Sequence, residues 1–429
     1  MTHVGQLSPP QPQQTRQLGL NINRSLCPFG TACASTRSVT RPTAVRTEFK
    51  QPLANTRTRG IVFQSAAYGT SSVSQEARAI TSRLASRGIP VHLAAEDAPA
   101  SPGPAFPDAE RDELEKLTHQ KVDVAESILY YGSVPTIWNL DYYGSRRVGR
   151  GMFWTDRIPV PWIEPCNALD EVWVPSEFNR SGFAASGVDA DRLRVVPTGV
   201  DTKVFRPGLQ PLALAERREF NFLAVTDVHD RKGTDLLLTA FLREFHADDD
   251  VSLTLKTLPK RENQIDLSAE LAFFIEKSLN QKLEKSACVL LMEENLPWEQ
   301  MPHLYSAADA FVLPARGQSC GLTIMEALAS EVPVITTRWG APLEYLNDEN
   351  SYLIDSEGAG PVPLGDEFLP GHHWANPSVD HLRQLMRHVF THVEEARLRA
   401  AEGRRQVAET RDWSVVLPRW EEEFRRLLS

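Results

Sequence analysis

The sequence has few cysteines and no long apolar run. No stretch approaches the roughly 18 apolar residues that span a bilayer, so no transmembrane segment is predicted. A Walker loop, a Ser-His-Asp arrangement and a Gly-x-Gly-x-x-Gly after the first predicted strand are also missing, and the last absence counts against a dehydrogenase. The cysteines are odd in number and never spaced as Cys-x-x-Cys, which favours a reducing compartment and argues against a zinc site. They are Cys27, Cys33, Cys166, Cys288 and Cys320.

Acidic residues outnumber basic ones over the whole chain, but the amino end is basic. The net charge of −10 argues against a general nucleic-acid binder. Residues 1–59 nevertheless hold seven Arg, one Lys and a single acid, Glu48, with few large apolar residues. Such a segment cannot bury a core, so we expect either a disordered tail or an organelle transit peptide. The predicted location is the cytoplasm, with organelle import as the alternative.

The stretch from Ala310 to Thr337 predicts a ligand site. A buried strand at residues 310–313 is followed by a loop with two glycines, a helix over residues 322–330 and a second strand. The amides of Leu322 and Thr323 begin that helix, and free amides at a helix start bind anions such as phosphate. Glu326 lies one turn further on and can accept two hydrogen bonds from a sugar diol. The alternative is that Glu326 is only a first-turn acid favoured by the helix dipole.

A second anion site is predicted earlier in the chain. A strand at residues 220–225 leads to the basic loop of residues 230–235, and a helix follows over residues 236–245. Lys232 offers a point charge there, and Arg231 can bind an anion in a fork. The alternative is a solvated basic turn. The first predicted domain opens with a strand, helix and strand over residues 60–94, which is a βαβ unit.

These motifs resemble glycosyltransferase family 4, whose members are retaining enzymes of the GT-B fold. The family signature is Glu-x7-Glu in a Gly-rich loop, followed by Gly-Leu, a helix and a Pro-Val-Ile strand. Here Arg316–Leu322 leads to Glu326–Ala329, and Val332–Ile335 follows. The second Glu of the signature matches Glu326, whereas Gln318 stands in place of the first.

The segment Met152–Arg157 also resembles the family, with one departure. A family subgroup commonly reads Met-Phe-Glu-Thr-Asp-Arg there, and this chain has Trp154 in place of the acid. The lysine of the family's Lys-Gly pair matches Lys232. An Arg usually lies some six residues earlier, where this chain has Thr226, so Arg231 is the predicted substitute.

The resemblance implies an α/β protein of the GT-B fold, with two Rossmann-like domains facing across a cleft. The implied acceptor domain spans residues 60–200 and the implied nucleotide-sugar donor domain spans residues 201–405. Residues 406–429 would form a helix that crosses back to the first domain. The implied reaction is transfer of a hexosyl group from a nucleotide sugar to a hydroxyl of a carbohydrate or other acceptor, with retention of configuration.

The resemblance also implies the roles of individual residues. Lys232 and Gln318 would be catalytic, Lys232 by neutralising the leaving diphosphate and Gln318 by lying beside the donor sugar. No metal or other cofactor is expected, because fixed cations and a helix start stabilise that leaving group. The donor-binding residues would be Arg231, Lys232, Gly321, Leu322, Thr323 and Glu326, and the residues at the acceptor side of the cleft would be Gly69, Trp154 and Asp156.

A non-catalytic relative is the alternative interpretation. Such a protein would keep the fold and bind a nucleotide or a protein partner. Gln318 and Trp154 favour it, because both replace an acid of the resembling enzymes with a neutral side chain.

Overall fold

The computed structural model describes residues 58–69, 71–97, 108–138, 140–141, 144–257, 266–282, 285–362 and 369–429, together with the short strand Arg16–Gln17. Its strands are β1 Arg16–Gln17, β2 Ile61–Ser65, β3 Val91–Ala95, β4 Ile128–Tyr131, β5 Arg146–Arg150, β6 Glu171–Val174, β7 Leu193–Val195, β8 Phe220–Val225, β9 Val251–Lys256, β10 Cys288–Met292, β11 Ala310–Leu313, β12 Val334–Thr337, β13 Tyr352–Ile354, β14 Ser356–Pro361 and β15 His373–Pro377. Its helices are α1 Ser72–Ser86, α2 Asp108–His119, α3 Val160–Asn167, α4 Glu177–Ser186, α5 Thr234–Glu244, α6 Leu267–Phe273, α7 Met301–Tyr305, α8 Leu322–Ala329, α9 Val379–Thr391, α10 Val393–Thr410 and α11 Trp413–Leu428.

The first sheet has six parallel strands in the order β3-β2-β4-β5-β6-β7. Helices α1, α2 and α11 pack on one face, where Phe63, Ile80 and Trp420 share an apolar cluster. Helices α3 and α4 pack on the other face, through Cys166 and Phe183. Because helices cover both faces, β4 and β6 are buried along their whole length.

The second sheet has the order β1-β10-β9-β8-β11-β12-β13, and all its strands except β1 are parallel. Successive side chains of β11 point to opposite faces, as the period of two requires: Val312 packs with α5 and α9, and Phe311 packs with α7 and α8. Each sheet with its helices forms a Rossmann-like layer structure. The predicted fold class, α/β with two Rossmann-like domains, is confirmed.

The chain crosses between the two sheets twice, and the two crossings are hydrogen-bonded to each other. The amide of Val200 donates to the carbonyl of Arg411 at 2.9 Å, and the amide of Trp413 donates to the carbonyl of Val200 at 3.1 Å. A Cβ on Gly199 would lie 2.7 Å from the Trp413 ring, so the hinge needs glycine here. Helix α11 then returns to the first sheet, where the Trp420 indole donates to the carbonyl of Pro197 at 2.8 Å.

The sequence also predicts a strand at residues 136–140, and this prediction is wrong, because Pro135–Ile137 form one turn of 3-10 helix. The next strand in the sheet after β4 is instead β5, whose Arg-Arg-Val-Gly-Arg sequence lacks the apolar run that marks a buried strand. Arg150 is nevertheless fully buried, because its guanidinium donates to both oxygens of Glu76 at 2.9 and 3.0 Å. It also donates to the carbonyl of Val196 at 2.7 Å. The buried ion pair therefore allows a charged residue inside the sheet.

Three other predicted elements differ in extent. The apolar spacing of residues 379–404 predicts one helix, but the segment forms two, because His392 has non-helical φ and ψ angles of −122° and 55°. Proline predicts a break in the last helix near Pro418, but helix α11 continues through this residue. The sequence predicts a loop over residues 358–370, but its first residues belong to β14, which pairs with β15. The predicted tail lies outside the described residues up to residue 57, apart from Arg16–Gln17.

None of the helices within the described parts of the chain is long and apolar enough to cross a membrane.

Candidate active site

A cleft of about 450 Å³ lies between the two domains and is lined by residues of both. Its wall on the side of the second sheet is built from the loops that leave the carboxyl ends of β8, β9, β10 and β11. In open parallel sheets, ligands bind at this end of the strands. The cleft contains most of the residues predicted from the sequence, and they come from separate loops.

The start of α8 faces the cleft. Gly321 precedes the helix with a left-handed φ of 72°, and a Cβ there would lie 2.6 Å from the Tyr345 hydroxyl. That hydroxyl donates to the carbonyls of Cys320 and Gly321 at 2.8 and 3.2 Å, which holds the turn in place. The amides of Leu322 and Thr323 lie in the first turn, where no carbonyl of the helix is available to them. The glycine conformation therefore turns a helix start toward the cleft.

The loop that carries Lys232 lies directly against the loop before α8. A Cβ on Gly233 would lie only 2.0 Å from the Pro314 carbonyl oxygen, and the amide of Arg316 donates to the carbonyl of Arg231 at 2.8 Å. The Lys232 ammonium donates to Oε1 of Gln318 at 3.0 Å. The two residues predicted to be catalytic are thus in direct contact.

The environment of Lys232 makes its charge costly. Burial, with a smaller contribution from the charge of Arg231, lowers the pKa of the Lys232 ammonium to about 8. Gln318 accepts its hydrogen bond without supplying a negative charge. Binding of an anion would therefore stabilise the charged ammonium and offset both its burial and its repulsion by Arg231.

Arg231 lies at the boundary between the domains. Its guanidinium is 4.6 Å from the centroid of the Trp154 ring, and it donates to the carbonyl of Gly317 at 3.2 Å. A Cβ on Gly317 would lie 2.6 Å from the carbonyl oxygen of Trp154, so the two loops touch through their backbones. Trp154, the residue that stands in place of the family's acid, therefore packs an aromatic ring against a cation of the other domain.

Glu326 is buried at the base of the cleft, with 2% of its surface exposed. The hydroxyl of Tyr305 donates to its Oε2 at 2.6 Å and opposes the effect of burial, yet burial still raises the pKa of the Glu326 carboxyl to about 8. At neutral pH the group is therefore mostly the neutral acid, where the sequence suggested a carboxylate. A neutral carboxyl can donate as well as accept toward a diol.

Two residues predicted at the acceptor side of the cleft do not line it. The amide of Gly69 donates to Asp97 at 2.9 Å, which ties the loop after β2 to the segment that follows β3. Asp156 accepts from the amide of His373 at 2.7 Å and lies 3.1 Å from its Nδ1. The carboxylate of Asp156 therefore faces the β14–β15 hairpin of the second domain and holds that hairpin against the first domain.

Lys256 lines the cleft and was missed by sequence reasoning. It ends β9, is 5% exposed, and donates to the carbonyl of Thr257. Burial lowers its pKa to about 8. The sequence could have indicated this residue, because Lys256 is the one charged residue of Val251–Lys256 and stands at the end of a buried strand, where lysine is rare.

The thiol of Cys320 also lines the cleft, just before α8. A helix start can lower the pKa of a thiol, but burial here raises the pKa of Cys320. Among the residues that the structure describes, no group of three or more His, Cys, Asp or Glu side chains is placed to hold a metal ion.

Comparison with known proteins finds similarity to glycosyltransferases. Residues 219–360, about a third of the chain, match the family model described as "Glycosyl transferases group 1". A GDP-mannose-dependent alpha-(1-6)-phosphatidylinositol monomannoside mannosyltransferase of Mycolicibacterium smegmatis is 26% identical over 49% of this chain and 58% of the relative. A D-inositol 3-phosphate glycosyltransferase of Paenarthrobacter aurescens is 26% identical over 57% of this chain and 54% of the relative. The chain thus spans a little over half the length of these curated relatives.

Solved structures are similar over most of the chain. Sucrose-phosphate synthase of Thermosynechococcus elongatus superposes with a TM-score of 0.62 at 16% identity, over 86% of this chain and 99% of that chain. Anabaena HepE, solved in complex with UDP and glucose, has a TM-score of 0.59 at 13% identity, over 86% of this chain and 100% of that chain. At such identities the likeness shows the fold alone, and that fold is GT-B.

Proposed function

We propose that this GT-B chain is a retaining glycosyltransferase, which moves a hexosyl group from a nucleotide sugar to an acceptor hydroxyl. The observation that carries the proposal is the convergence of Lys232, the start of α8 and Glu326 on one wall of an interdomain cleft. A cation and a helix start suit a diphosphate, and a buried carboxyl beside them suits a ribose diol. The match to the glycosyl transferases group 1 model over residues 219–360 covers all three features and supports the proposal.

The leaving diphosphate gains negative charge as its bond to the sugar breaks. Lys232 and the first amides of α8 are held in position before the reaction, so they stabilise that charge without reorganising. At pH 7, about nine-tenths of the Lys232 ammonium is charged if its pKa is about 8. Arg231 adds a second positive charge nearby. These fixed charges are why we propose a reaction that needs neither a metal nor another cofactor.

The donor sugar would lie beside Gln318, between the diphosphate site and the opposite domain. Gln318 is buried with 9% of its surface exposed, and its Oε1 already accepts from Lys232. Its amide can hydrogen-bond to a sugar hydroxyl but supplies no negative charge to a positive anomeric carbon. We therefore propose slow or specialised transfer alongside ordinary nucleotide binding.

The sugar, acceptor and location belong to the same proposal. The relatives' names specify transfer of mannose from GDP-mannose and transfer to inositol 3-phosphate, each for that protein. They support a hexosyl donor and a hydroxyl acceptor for this chain. The cysteine pattern supports action in a reducing compartment such as the cytoplasm.

A non-catalytic nucleotide-binding protein is the second candidate. It is favoured by the contacts of Gln318 and Trp154, which place a neutral amide and an indole ring against the two cations of the site. Such a protein would bind a nucleoside diphosphate without turning over any nucleotide sugar. Turnover therefore separates the two candidates.

A thermal-shift screen with UDP, GDP, ADP and their hexose conjugates tests the proposal. A ligand at 100 times its Kd stabilises the fold by about 2.7 kcal/mol. Lys232→Ala should weaken binding of the responding diphosphate by about 1.5–3 kcal/mol, the usual effect of losing a charged hydrogen bond, and leave binding of the bare nucleoside almost unchanged. Lys277→Ala, at an exposed lysine of the same domain, is the matched control. Equal losses for diphosphate and nucleoside would show that Lys232 is structural, and a chain that binds no nucleotide would refute the proposal.

A further inference from the structure

The β14–β15 hairpin belongs to the second domain along the chain but packs against the first. It lies between β13 of the second sheet and helix α9. Val362 and Leu369, which flank its strands, and Trp374 on β15 share an apolar cluster with Phe153 and other buried residues of the first domain. The hairpin is therefore part of the first domain's core, while the chain before and after it belongs to the second domain.

Polar contacts fix the hairpin to the loop after β5. Oγ1 of Thr155 lies 2.8 Å from Nδ1 of His372, and both residues are buried. The amide of Asp156 donates to the carbonyl of His373 at 3.2 Å. With the two contacts that the Asp156 carboxylate makes to His373, these bonds join consecutive residues of the first domain to consecutive residues of the hairpin.

The same hairpin is also fixed to the loop before α8. The amide of Ala375 donates to the carbonyl of Arg316 at 2.8 Å, and the Arg316 guanidinium lies 6.0 Å from the centroid of the Trp374 ring. Arg316 is itself held in place, because its guanidinium donates to both carboxylate oxygens of Asp235 on α5 at 2.8 and 2.7 Å. Strand β15 thus passes within two residues from its contacts with the first domain to its contacts with the loop before α8.

These contacts lie on either side of the place where the two domains touch directly. Along the loop after β5, Trp154 meets Gly317, and the next two residues meet the hairpin. Along the loop before α8, Arg316 meets the hairpin, Gly317 meets Trp154, and Gln318 lines the cleft. The position of Gln318 therefore depends on neighbours that are held between the first domain and the hairpin.

We infer that the β14–β15 hairpin is an interdomain strap, and that Asp156 is a positioning residue that acts through it on the loop before α8. The inference rests on the proposed function, in which Gln318 lies beside the donor sugar. Lys232, the start of α8 and Glu326 all belong to the second domain and do not require the contact between the strap and the first domain. Loss of that contact should therefore impair transfer more than it impairs binding of the leaving nucleotide.

Hydrogen exchange measured by mass spectrometry tests the coupling without any substrate. Asp156→Ala removes the acceptor of the His373 amide, and loss of a hydrogen bond to a charged group changes an opening equilibrium by about tenfold. Peptides that contain the amides of Ala375 and Arg316 should therefore exchange about tenfold faster. Exchange in Ala310–Leu313, an inner strand of the second sheet, should not change.

Two further variants separate the contact from general damage to the fold. Asp156→Asn keeps an oxygen that can accept from the His373 amide, so it should restore most of the slow exchange. His373→Ala removes a half-exposed ring that contacts the Asp156 carboxylate, and it should accelerate exchange at the same peptides by a smaller factor. Asp170→Ala is the matched control, because Asp170 accepts the amide of Arg147 at 2.7 Å within the first domain.

Steady-state kinetics and calorimetry test the role of the strap in the reaction. With the donor found by the thermal-shift screen, Asp156→Ala should lower kcat by about tenfold or more. Kd for the nucleoside diphosphate should change by less than about threefold, because the groups that bind it lie in the second domain. Asp170→Ala should change neither quantity, and Asp156→Asn should recover most of kcat.

Several results would overturn the inference. They are unchanged exchange at Arg316 in Asp156→Ala, faster exchange that extends to Ala310–Leu313, equal losses of kcat and nucleotide affinity, and the same losses in Asp170→Ala. Failure to turn over any nucleotide sugar would remove the proposed function and the role of the strap in turnover. The exchange data would then still decide whether the hairpin couples the two loops.

Discussion

The affinity for a nucleoside diphosphate should fall as the pH rises through 8, because Lys232 loses its proton there. Burial and the charge of Arg231 lower the pKa of this lysine from 10.5 to about 8 in the free protein. A bound diphosphate favours the charged form, so binding above pH 8 must be accompanied by uptake of a proton. Each pH unit above that value should cost about 1.4 kcal/mol, or tenfold in Kd.

Calorimetric titration of the diphosphate between pH 7.5 and 9 measures the effect. The terminal phosphate is already ionised over this range, since its second pKa is about 6. We expect Kd to rise by roughly tenfold across the range in the natural protein. Lys232→Arg should remove most of the slope, because a guanidinium keeps its charge throughout.

Two other groups titrate in the same cleft and must be separated from Lys232. Lys256 also has a pKa lowered to about 8 by burial, so the series is repeated in Lys256→Met. Glu326, whose pKa is raised to about 8, becomes an anion over the same range, and Glu326→Gln removes that change. A Kd that does not change with pH in the natural protein, or a slope that survives in Lys232→Arg but not in Lys256→Met, would refute the assignment of the diphosphate to Lys232.

Two further predictions concern the buried contacts of this site. Gln318→Glu would place a carboxylate about 3.0 Å from the Lys232 ammonium, so the loss of diphosphate binding at alkaline pH should shift to higher pH. Turnover of the donor should rise, while Kd for the diphosphate changes by less than about tenfold. Loss of turnover in steady-state assays would show that the site requires an amide. Tyr305→Phe removes the hydroxyl that donates to buried Glu326, so urea denaturation should show a loss of about 1–3 kcal/mol and calorimetry a weaker affinity for the nucleoside. Tyr352→Phe, which removes a hydroxyl that donates to Glu395 on α10, is the matched control, and an unchanged nucleoside affinity in Tyr305→Phe would show that Glu326 does not hold the ribose.

Local sequence patterns were sufficient to predict the strand and helix around Glu326 and the position of Lys232. The bounds of the strand Ala310–Leu313 and of the helix beginning at Leu322 were predicted to within one residue. This was possible because a buried apolar run and an amphipathic helix can each be recognised from about ten consecutive residues. Lys232 and Glu326 followed from their places at helix starts. The α/β fold with two Rossmann-like domains was implied by the resemblance to glycosyltransferase family 4.

Contacts between distant segments could not be predicted in this way. Arg231 meets Trp154 from the other domain, Tyr305 reaches Glu326 from the preceding helix, and Asp156 turns out to hold a hairpin. The strand Arg146–Arg150 was missed because its stability depends on Glu76, far away in sequence.

By itself, the sequence determined the strand and helix around Glu326 and which helix starts carry charge, because periodicity, glycine conformation and helix polarity act over a few residues. Only the tertiary structure decided which side chains share the cleft, and with that the protonation of Lys232 and Glu326. Burial and neighbouring charge set a pKa, and both depend on segments that come together only when the two domains are packed on each other.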